Sequence, residues 1–207
     1  AVIVAAHHGR WWRQALRSHP ARNTIVQPRN RGTANGILLP LLAILRRDPL
    51  ARIAFLPSDH FVRDEMTLSA TLKSAVAQLR GRAGEIVLLG ISPDEADPEL
   101  GYIVPDGHAY DGVVPVGRFV EKPDAPVAQS LIAAGAVWNS FIFVADGNML
   151  LSLFRRRFPE IVDDMETALA RDGDVGGEAL AALYTRLRDV DFSRHVLEGA
   201  EQTLRVL

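Results

Sequence analysis

Two aspartates stand where a carboxylate would be able to hold a metal ion. Asp59 lies in the run PSDH, directly after a strand-like segment that ends at Pro57. Carboxylate oxygens are ligands of hard cations such as Mg²⁺, so an Asp at a strand end is well placed to bind one. The alternative is an ordinary turn or helix-capping Asp. Asp191, in the run VDFS, would be a second metal ligand if the chain returns there to the sheet edge.

The segment 27–34 (QPRNRGTA) connects a predicted strand to a predicted helix. Pro28 and Gly32 favour a defined turn, and Thr33 is able to cap the helix, whose first N–H groups suit a polar or anionic ligand. The amide of Gln27 both donates and accepts, which matches the edge of a purine. The motif alone favours the alternative, a plain strand–helix turn with a surface pair of arginines.

A strand end and a strand interior supply further polar side chains. The segment 117–124 (GRFVEKPD) places Glu121 beside Lys122, and neighbouring side chains of a strand point to opposite faces. The compact ammonium of Lys122 suits a phosphate, whereas the alternative is an ordinary exposed Lys. Asn139 and Ser140 lie in an otherwise apolar strand, where polar groups need partners. A ligand hydroxyl and the neighbouring backbone are both candidate partners.

The composition of the 207-residue chain excludes several function classes. Cys is absent, which rules out disulfides, thiolate nucleophiles, Cys-ligated zinc and iron–sulfur clusters. The six His lack the spacing of a zinc protease. A formal charge of -2 gives no basic field for nucleic acid or a membrane surface, and no apolar run reaches about 18 residues. We therefore expect no nucleic-acid or membrane partner, and a reduced, cytoplasmic setting.

The first ninety residues alternate between strand and helix patterns. Pro40 lies inside the second helical pattern and is expected to kink that helix or delay its start, and Asp64 is expected to cap the third helix. The alternation predicts a parallel sheet with helices on both faces, in which ligands lie at the carboxyl ends of strands. Strands are predicted over 2–6, 24–26, 53–56 and 85–91, of which the first and the last are expected to be buried. Helices are predicted over 9–17 and 33–46 and around 68–79.

The second half of the chain is less regular but mixes the same elements. Strands are predicted over 101–104, 113–121 and 137–144, helices over 125–134, 148–157, 159–171 and 178–187, and an extended stretch over 189–192. No internal repeat, low-complexity segment or linker is evident. The sequence therefore predicts one domain over 1–207.

Taken together and in this order, six motifs resemble those of sugar-1-phosphate nucleotidyltransferases, with the mannose-1-phosphate guanylyltransferases as the closest branch. These motifs are QPRNRGTA (27–34), PSDH (57–60), LGYI (100–103), FVEKP (119–123), WNS (138–140) and DFS (191–193). The resemblance covers nearly the whole chain, from the first strand to Asp191. It implies an α/β fold with a Rossmann-like, doubly wound mixed sheet and helices on both faces.

The resemblance implies an enzyme that joins GTP to mannose 1-phosphate, giving GDP-mannose and pyrophosphate. The implied catalytic residues are Lys122, which would face the sugar phosphate, and Asp59 and Asp191, which would hold Mg²⁺. An oxygen of the sugar phosphate would attack the α-phosphorus of GTP. Because this nucleophile is already an anion, charge neutralisation and alignment matter more than a strong base.

The resemblance also implies a set of substrate-binding residues. These residues are Gln27, Gly32, Thr33, Gly101, Glu121 and Asn139. Gln27 and Gly32 would contact the nucleotide base. Gly101 would let the backbone approach the sugar, while Glu121 and Asn139 would bond to sugar hydroxyls. The implied partners are thus GTP and a hexose 1-phosphate.

The chain also departs from the family pattern. The Gly-rich loop that opens the family domain and wraps the nucleotide phosphates does not occur in it, so we expect an N-terminally incomplete domain that lacks its first strand. A sheet edge exposed in this way would favour pairing into a homo-oligomer. Gln27 stands where the guanylyltransferase branch often has Glu, Asn35 replaces a common Pro, and Phe141 replaces the usual Gly.

Two alternative functions stay open at this point. One is a non-catalytic subunit or sensor that binds a sugar nucleotide, which the missing phosphate loop motivates. The other is a sister nucleotidyltransferase that uses another NTP and another hexose 1-phosphate. If the loop is absent from the protein, we expect little catalysis from this chain.

Overall fold

The computed structural model describes residues 1–81, 84–109, 112–173 and 175–207. The strands in these ranges are β1 (Val2–Ala5), β2 (Thr24–Gln27), β3 (Arg52–Phe55), β4 (Ile86–Ile91), β5 (Gly101–Pro105), β6 (Val114–Glu121), β7 (Val137–Asp146) and β8 (Leu204–Val206). The α-helices are α1 (Gly9–Ala15), α2 (Gly32–Arg47), α3 (Glu65–Gln78), α4 (Ala125–Ala133), α5 (Gly147–Arg157), α6 (Pro159–Asp172) and α7 (Glu178–Arg186). Within the described ranges, no helix combines the length and the apolar character that crossing a membrane requires.

The chain divides into two compact units. The first unit comprises Ala1–Pro49 and Leu151–His195, and the second comprises Leu50–Leu150 and Val196–Leu207. The single domain expected over 1–207 stays a prediction.

The first unit contains a parallel pair of strands and the long apolar helix α2. β1 pairs with β2 so that Ala5 lies opposite Gln27. The strand at the start of the chain, which the sequence predicts to be buried, is only half-buried. Among the described residues it pairs with β2 alone. Pro40 does not delay α2, which begins at Gly32 and continues past Pro40. The loss of one backbone donor is offset there by burial of the surrounding leucines.

The second unit is built on a six-stranded mixed sheet with the order β3-β7-β4-β8-β6-β5, and β5 also pairs with β7. β7 runs antiparallel to both β3 and β4, whereas β4 and β8 are parallel. The parallel sheet predicted over the first ninety residues is confirmed for β1 and β2. β3 and β4 also run in the same direction, since each is antiparallel to β7, but the sheet that contains them is mixed. These two strands do not pair because β7, from the second half of the chain, lies between them.

Helices α3 and α4 pack on this sheet through small and branched apolar side chains. Ala75 of α3 packs with Val87 and Val144 of the sheet, and Leu131 of α4 packs with Tyr102. Residues of β4 and β7 with the opposite orientation are also fully buried, so both faces of the sheet centre are covered. They are Ile86, Leu88, Phe143 and Ala145. The predicted α/β class with a mixed sheet is confirmed.

Most predicted boundaries lie within one or two residues of the observed ones, but several short elements, among them β8 and a turn of π-helix, were not predicted. The strand β8 has three residues, and a turn of π-helix covers Ser193–Leu197. Both are too short to show a hydrophobic period in the sequence. The predicted helix cap at Asp64 is confirmed, since its carboxylate accepts a hydrogen bond from the Thr67 N–H at 3.0 Å.

Candidate functional site

The predicted site residues fall into both units. The first unit carries Gln27, Gly32, Thr33 and Asp191, and the second carries Asp59, Gly101, Glu121, Lys122 and Asn139. Two groups are brought into contact within their own unit. In the first unit, Gly32 and Thr33 contact the segment around Asp191; in the second, Glu121 and Asn139 surround Gly101.

Gln27 ends β2 with its amide buried against helix α2. The residue is only 7% exposed, and within the described part of the chain its Nε2 has no hydrogen-bond partner. A Cβ added at Gly36 would lie 3.2 Å from this nitrogen, so the glycine provides the space that the amide occupies. A buried donor left without an acceptor costs about 1–3 kcal/mol.

Gly32 is required by a close backbone contact in the first unit. Its φ is +78°, a value that favours glycine, and an added Cβ would lie 2.7 Å from the Val190 nitrogen and closer still to the Val190 oxygen. No larger residue fits without moving the Val190 backbone. This contact explains the glycine through the fold, while its expected contact with a nucleotide base stays a prediction.

Thr33 does not cap α2, contrary to the sequence prediction. The helix begins one residue earlier, at Gly32, so Thr33 lies inside the first turn and Arg31 takes the N-cap position without a side-chain cap. The Thr33 hydroxyl instead accepts a hydrogen bond from the Phe192 N–H at 2.7 Å and lies 3.5 Å from Asp191 Oδ2. Thr33 therefore links the start of α2 to the segment that carries Asp191.

Asp191 is half-buried at the start of a short helical segment. Its Oδ1 accepts from the Arg194 N–H at 2.9 Å, which is the geometry of an N-cap. The next residue, Phe192, is fully buried and stacks on Phe154 with ring centroids 5.8 Å apart. An ionised carboxylate offers about four acceptor positions, so capping and the Thr33 contact leave acceptor capacity for a cation.

Tyr184 of α7 supplies a pH-dependent contribution to the stability of the first unit. Its ring is fully buried, its hydroxyl lies 3.5 Å from the Asn35 carbonyl oxygen, and burial raises the pKa of its phenol. Above a pH of about 10 the unfolded chain loses the phenolic proton while the folded chain retains it, so stability falls as pH rises.

We expect Tyr184→Phe to remove this pH dependence. Between pH 10 and 11, the free energy of unfolding of the unaltered protein should fall more steeply than that of the variant, by up to about 1.4 kcal/mol per pH unit. Urea unfolding at several pH values from 8 to 11 measures both slopes. Parallel curves for the two proteins would contradict the expectation.

Asp59 lies on the loop between β3 and α3 in the second unit. It is exposed, and no residue in the described ranges makes a hydrogen bond or an ion pair with its carboxylate. The helix-capping alternative is excluded, because Asp64 caps α3. No group of three or more His, Asp or Glu side chains that would hold a metal occurs among the described residues. Asp59 therefore offers a single hard oxygen ligand.

Gly101, Glu121 and Asn139 come together on neighbouring strands of the second unit. Gly101 pairs with Glu121 across β5 and β6. A Cβ added at Gly101 would lie 2.5 Å from Glu121 Oε2 and 3.6 Å from Asn139 Nδ2. The carboxylate and the amide thus lie over the bare Cα of the glycine. This arrangement places an acceptor and a donor side by side, which is the chemistry that a sugar hydroxyl pair requires.

An irregularity in β7 sets the position of Asn139. Leu88 pairs with Phe143 and Gly90 pairs with Asn139, so β7 advances by four residues while β4 advances by two. The Asn139 side-chain oxygen accepts from the Phe141 N–H at 3.1 Å, and Phe141 has a φ of +59°. The bulge therefore explains how a polar side chain in an apolar strand reaches Gly101.

The hydrogen-bond partners of Ser140 are backbone groups, one of the two kinds of partner that the sequence left open. Its hydroxyl donates to the Leu89 carbonyl at 2.6 Å and accepts from the Ile142 N–H at 3.1 Å. Both partners are buried backbone groups at the same bulge. Ser140 is thereby satisfied by the fold and has no need of a ligand.

Lys122 follows β6 in a backbone conformation that is uncommon for a non-glycine residue. Its φ is +50°, and its N–H donates to the Leu100 carbonyl at 3.2 Å. Its Nζ lies 3.3 Å from Glu99 Oε2, and the two side chains are 47% and 79% exposed. Such an exposed pair contributes about 0–1 kcal/mol, so a phosphate would readily compete with Glu99 for the ammonium.

Sequence reasoning missed two residues that hold the Asp191 segment. Arg31 was considered only as part of a surface pair, yet its guanidinium donates to two carbonyls at the end of α7. Asn35 is 1% exposed and donates to the carbonyls of Arg31 and Arg188. The one available signal was an Asn within an otherwise apolar helix, which needs partners when it is buried.

Comparison with known proteins identifies the family to which the chain belongs. A family model described as "Nucleotidyl transferase" matches residues 2–178. The chain belongs to the nucleotidyl transferase family. The resemblance drawn from the six motifs is thereby confirmed, and the matched range contains every predicted site residue except Asp191.

Curated members similar to this nucleotidyl transferase chain are considerably longer than it. Xanthan biosynthesis protein XanB of Xanthomonas campestris pv. campestris (strain B100) is 35% identical over 173 residues, covering 82% of this chain and 33% of that protein. Mannose-1-phosphate guanylyltransferase of Escherichia coli (strain K12) is 34% identical over 157 residues, covering 72% and 32%. The chain thus spans about a third of the length of these relatives.

Solved structures show the same fold. A crystal structure titled mannose-1-phosphate geranyltransferase, from Thermus thermophilus, superposes with a TM-score of 0.77 at 28% identity, covering 99% of this chain and 58% of that one. A structure titled mannose-6-phosphate isomerase, from Helicobacter pylori, has a TM-score of 0.78 at 22% identity, with coverages of 99% and 80%. The second likeness concerns the fold alone.

Proposed function

We propose that this nucleotidyl transferase chain serves the transfer of GMP from GTP to mannose 1-phosphate, with GDP-mannose and pyrophosphate as products. The observation that carries the proposal is the contact of Glu121 and Asn139 over Gly101, which brings together a carboxylate and an amide, the groups that bond to sugar hydroxyls. The similar protein from Escherichia coli is named mannose-1-phosphate guanylyltransferase, and this name supports GTP and mannose 1-phosphate as the substrates.

The substrates would be recognised by groups of complementary chemistry. Glu121 would accept hydrogen bonds from sugar hydroxyls, and the Asn139 amide would bond to another hydroxyl. The Lys122 ammonium would release the Glu99 carboxylate and bind the sugar phosphate in its place. The Gln27 amide, which has a buried Nε2, would pair with the nucleotide base, with Gly32 and Thr33 at the start of the adjacent helix.

The proposed reaction breaks one phosphoanhydride bond and forms another. A phosphate oxygen of mannose 1-phosphate attacks the α-phosphorus of GTP, and the bond to the bridging oxygen of the β-phosphate breaks so that pyrophosphate leaves. No proton transfer is needed, because the nucleophile is ionised at neutral pH. The contribution of Lys122 is to offset the repulsion between the two anions and to orient the attacking phosphate.

We propose Asp59 and Asp191 as ligands of Mg²⁺, which when bound would neutralise phosphate charge and align the reacting groups. The donor chemistry fits, since both are carboxylates with acceptor positions left over in the structure. Magnesium is commonly held by one or two carboxylates together with substrate phosphates. This mode agrees with the lack of a larger carboxylate cluster among the described residues.

Pyrophosphate release provides the test of this function. When the assayed protein carries the Gly-rich phosphate loop, we expect release only when GTP, mannose 1-phosphate and Mg²⁺ are present together. Faster release with UTP or dTTP and glucose 1-phosphate would instead indicate a sister nucleotidyltransferase. Thermal stabilisation by GDP-mannose without any pyrophosphate release would indicate a protein that binds the sugar nucleotide and does not catalyse its synthesis.

We expect Gly101→Ala to impair sugar-phosphate binding selectively. The new methyl would lie 2.5 Å from Glu121 Oε2, so the carboxylate must move out of its position over the glycine. Loss of one hydrogen bond to a charged group is worth about 1.5–3 kcal/mol, which corresponds to a KM for the sugar phosphate raised roughly tenfold or more. Steady-state kinetics with varied mannose 1-phosphate measure this change, while the KM for GTP should stay nearly constant.

Gly176→Ala is the matched control for Gly101→Ala. Nothing lies within 4 Å of a Cβ added at Gly176, so this substitution adds a methyl without a clash. It should leave both KM values unchanged. Equal kinetics for the two variants would contradict the placement of the sugar over Gly101.

A further inference from the structure

Arg31 holds the end of helix α7, from which the chain continues to Asp191. Its Nε donates to the Tyr184 carbonyl at 2.9 Å and its Nη2 to the Thr185 carbonyl at 3.0 Å. The last carbonyls of a helix have no partner within the helix, and the planar guanidinium is able to satisfy two of them together. Its Nη1 also lies 3.6 Å from Asp189 Oδ1. The Arg31 side chain is 24% exposed and that of Asp189 is 73% exposed, so the two carbonyl contacts rather than the ion pair account for this attachment.

Asn35 and neighbouring backbone groups also attach the start of α2 to the segment that precedes Asp191. The Asn35 amide donates to the Arg31 carbonyl at 2.6 Å and to the Arg188 carbonyl at 3.1 Å. The Val190 N–H donates to the Arg31 carbonyl at 3.3 Å, and the Val190 carbonyl accepts from the Ala34 N–H at 3.0 Å. Residues 187–191 have no regular secondary structure, so these bonds determine their path.

The attachment reaches both neighbours of Asp191. Before Asp191, the Val190 backbone is hydrogen-bonded to Arg31 and Ala34. After Asp191, the Phe192 N–H donates to the Thr33 hydroxyl at 2.7 Å. Gly32 allows the close approach, since any Cβ there would collide with the Val190 backbone. The orientation of the Asp191 carboxylate therefore depends on residues that lie far earlier in the chain.

We propose that Arg31 and Asn35 are positioning residues that orient the Asp191 carboxylate for a divalent cation. The proposal rests on the proposed function, in which Asp191 is a metal ligand. Neither residue would touch the substrate or the metal. Loss of a group that orients a metal ligand typically weakens metal affinity by about 10–100-fold, and we expect that range for Arg31→Ala.

The structural part of the proposal is testable without metal or substrate. In amide hydrogen exchange of the metal-free protein, Arg31→Ala should accelerate exchange of the Val190 and Phe192 amides at least about tenfold relative to the unaltered protein, because their segment loses its attachment. The matched control is Arg46→Ala. Arg46 lies in the last turn of α2, the helix that Arg31 precedes as N-cap, and also donates to a carbonyl, that of Leu169, at 2.8 Å. This control should leave those two amides unchanged, and equal acceleration in both variants would overturn the proposal.

Cation affinity tests the functional part. Mn²⁺ binding in the presence of GTP, followed by electron paramagnetic resonance, should weaken about 10–100-fold in Arg31→Ala and stay unchanged in Arg46→Ala. In an Asp191→Asn background, Arg31→Ala should cause no further loss, because the ligand that it positions is gone. An undiminished loss in that background would overturn the positioning role.

Failure of this inference is distinguishable from failure of the proposed function. If Asp191→Asn leaves Mn²⁺ affinity unchanged, the metal role of Asp191 is wrong. If Asp191→Asn weakens affinity but Arg31→Ala does not, only the positioning role is wrong. Should Arg31→Ala fail to fold, Asn35→Ala removes the donor to Arg188 while leaving the guanidinium in place. It should then show the same faster exchange at Val190 and weaker Mn²⁺ binding, and normal values for both would overturn the proposal.

Discussion

Asp191→Asn should lower the rate of pyrophosphate release at least about 100-fold, the loss expected when one electrostatic stabiliser of a transition state is removed. An amide lacks the negative charge that a magnesium ligand supplies at this position. The substitution should preserve the helix cap, because Asn and Asp are about equally good N-cap residues. The bond from the Arg194 N–H should therefore persist, and the free energy of unfolding should change little.

The same substitution separates the two roles that the structure allows for Asp191. A residue that only capped the helical segment would tolerate Asn, with rate and stability both nearly unchanged. Asp59→Asn should show a similar loss of rate, because Asp59 is the other proposed metal ligand. Since no described residue makes a hydrogen bond or an ion pair with its carboxylate, this substitution should leave the free energy of unfolding nearly unchanged. Asp163→Asn, an exposed change on α6, is the control and should retain the full rate. Full activity in Asp191→Asn would exclude the metal role.

Gly32→Ala should be the most destabilising of the single substitutions considered. The φ of +78° costs an alanine about 1–2 kcal/mol. The added methyl also collides with the Val190 backbone, and overpacking of this kind typically costs a further 1–3 kcal/mol, about the same again. Because backbone atoms have less freedom to move than a side-chain end, the whole 187–191 segment must shift. Urea unfolding measures the total.

Gly173→Ala isolates the steric part of that loss. Gly173 has nearly the same φ, +75°, but nothing lies within 4 Å of an added Cβ. The control should therefore lose only the conformational part, about 1–2 kcal/mol. If both alanine variants were destabilised equally, the contact between Gly32 and Val190 would contribute nothing, and the account of the Asp191 segment would have to be revised.

The elements with a clear hydrophobic period could be predicted from the sequence. Helix α2 was predicted over 33–46 and is observed over Gly32–Arg47, because its leucines repeat at helical spacing. The pairing of strands could not be predicted in the same way. β7 lies between β3 and β4, and nothing in the local pattern of any of these strands specifies its neighbour.

In the candidate site too, the residues could be predicted from the sequence but their contacts could not. Gly101, Glu121 and Asn139 were each identified from motifs, but their contact depends on the register of β5 with β6 and on the bulge before Phe143. Thr33 was predicted as a helix cap and instead bonds to the Phe192 backbone. Hydrogen bonds to backbone groups leave little trace in a sequence, because every residue except proline carries the same N–H and C=O.

The family, the α/β class and the polar residues on which the proposed function depends could all be recognised in the amino-acid sequence, because motif order and hydrophobic period are local properties of the chain. The contacts that hold those residues in place follow from the packing of distant segments. Arg31 and the Tyr184 carbonyl are separated by 153 residues, and no local pattern connects them. Gly32 was predicted for a turn, whereas its close approach to Val190 emerges only when the two segments pack. Such long-range contacts arise from the packed fold, in which distant backbone groups satisfy one another away from water.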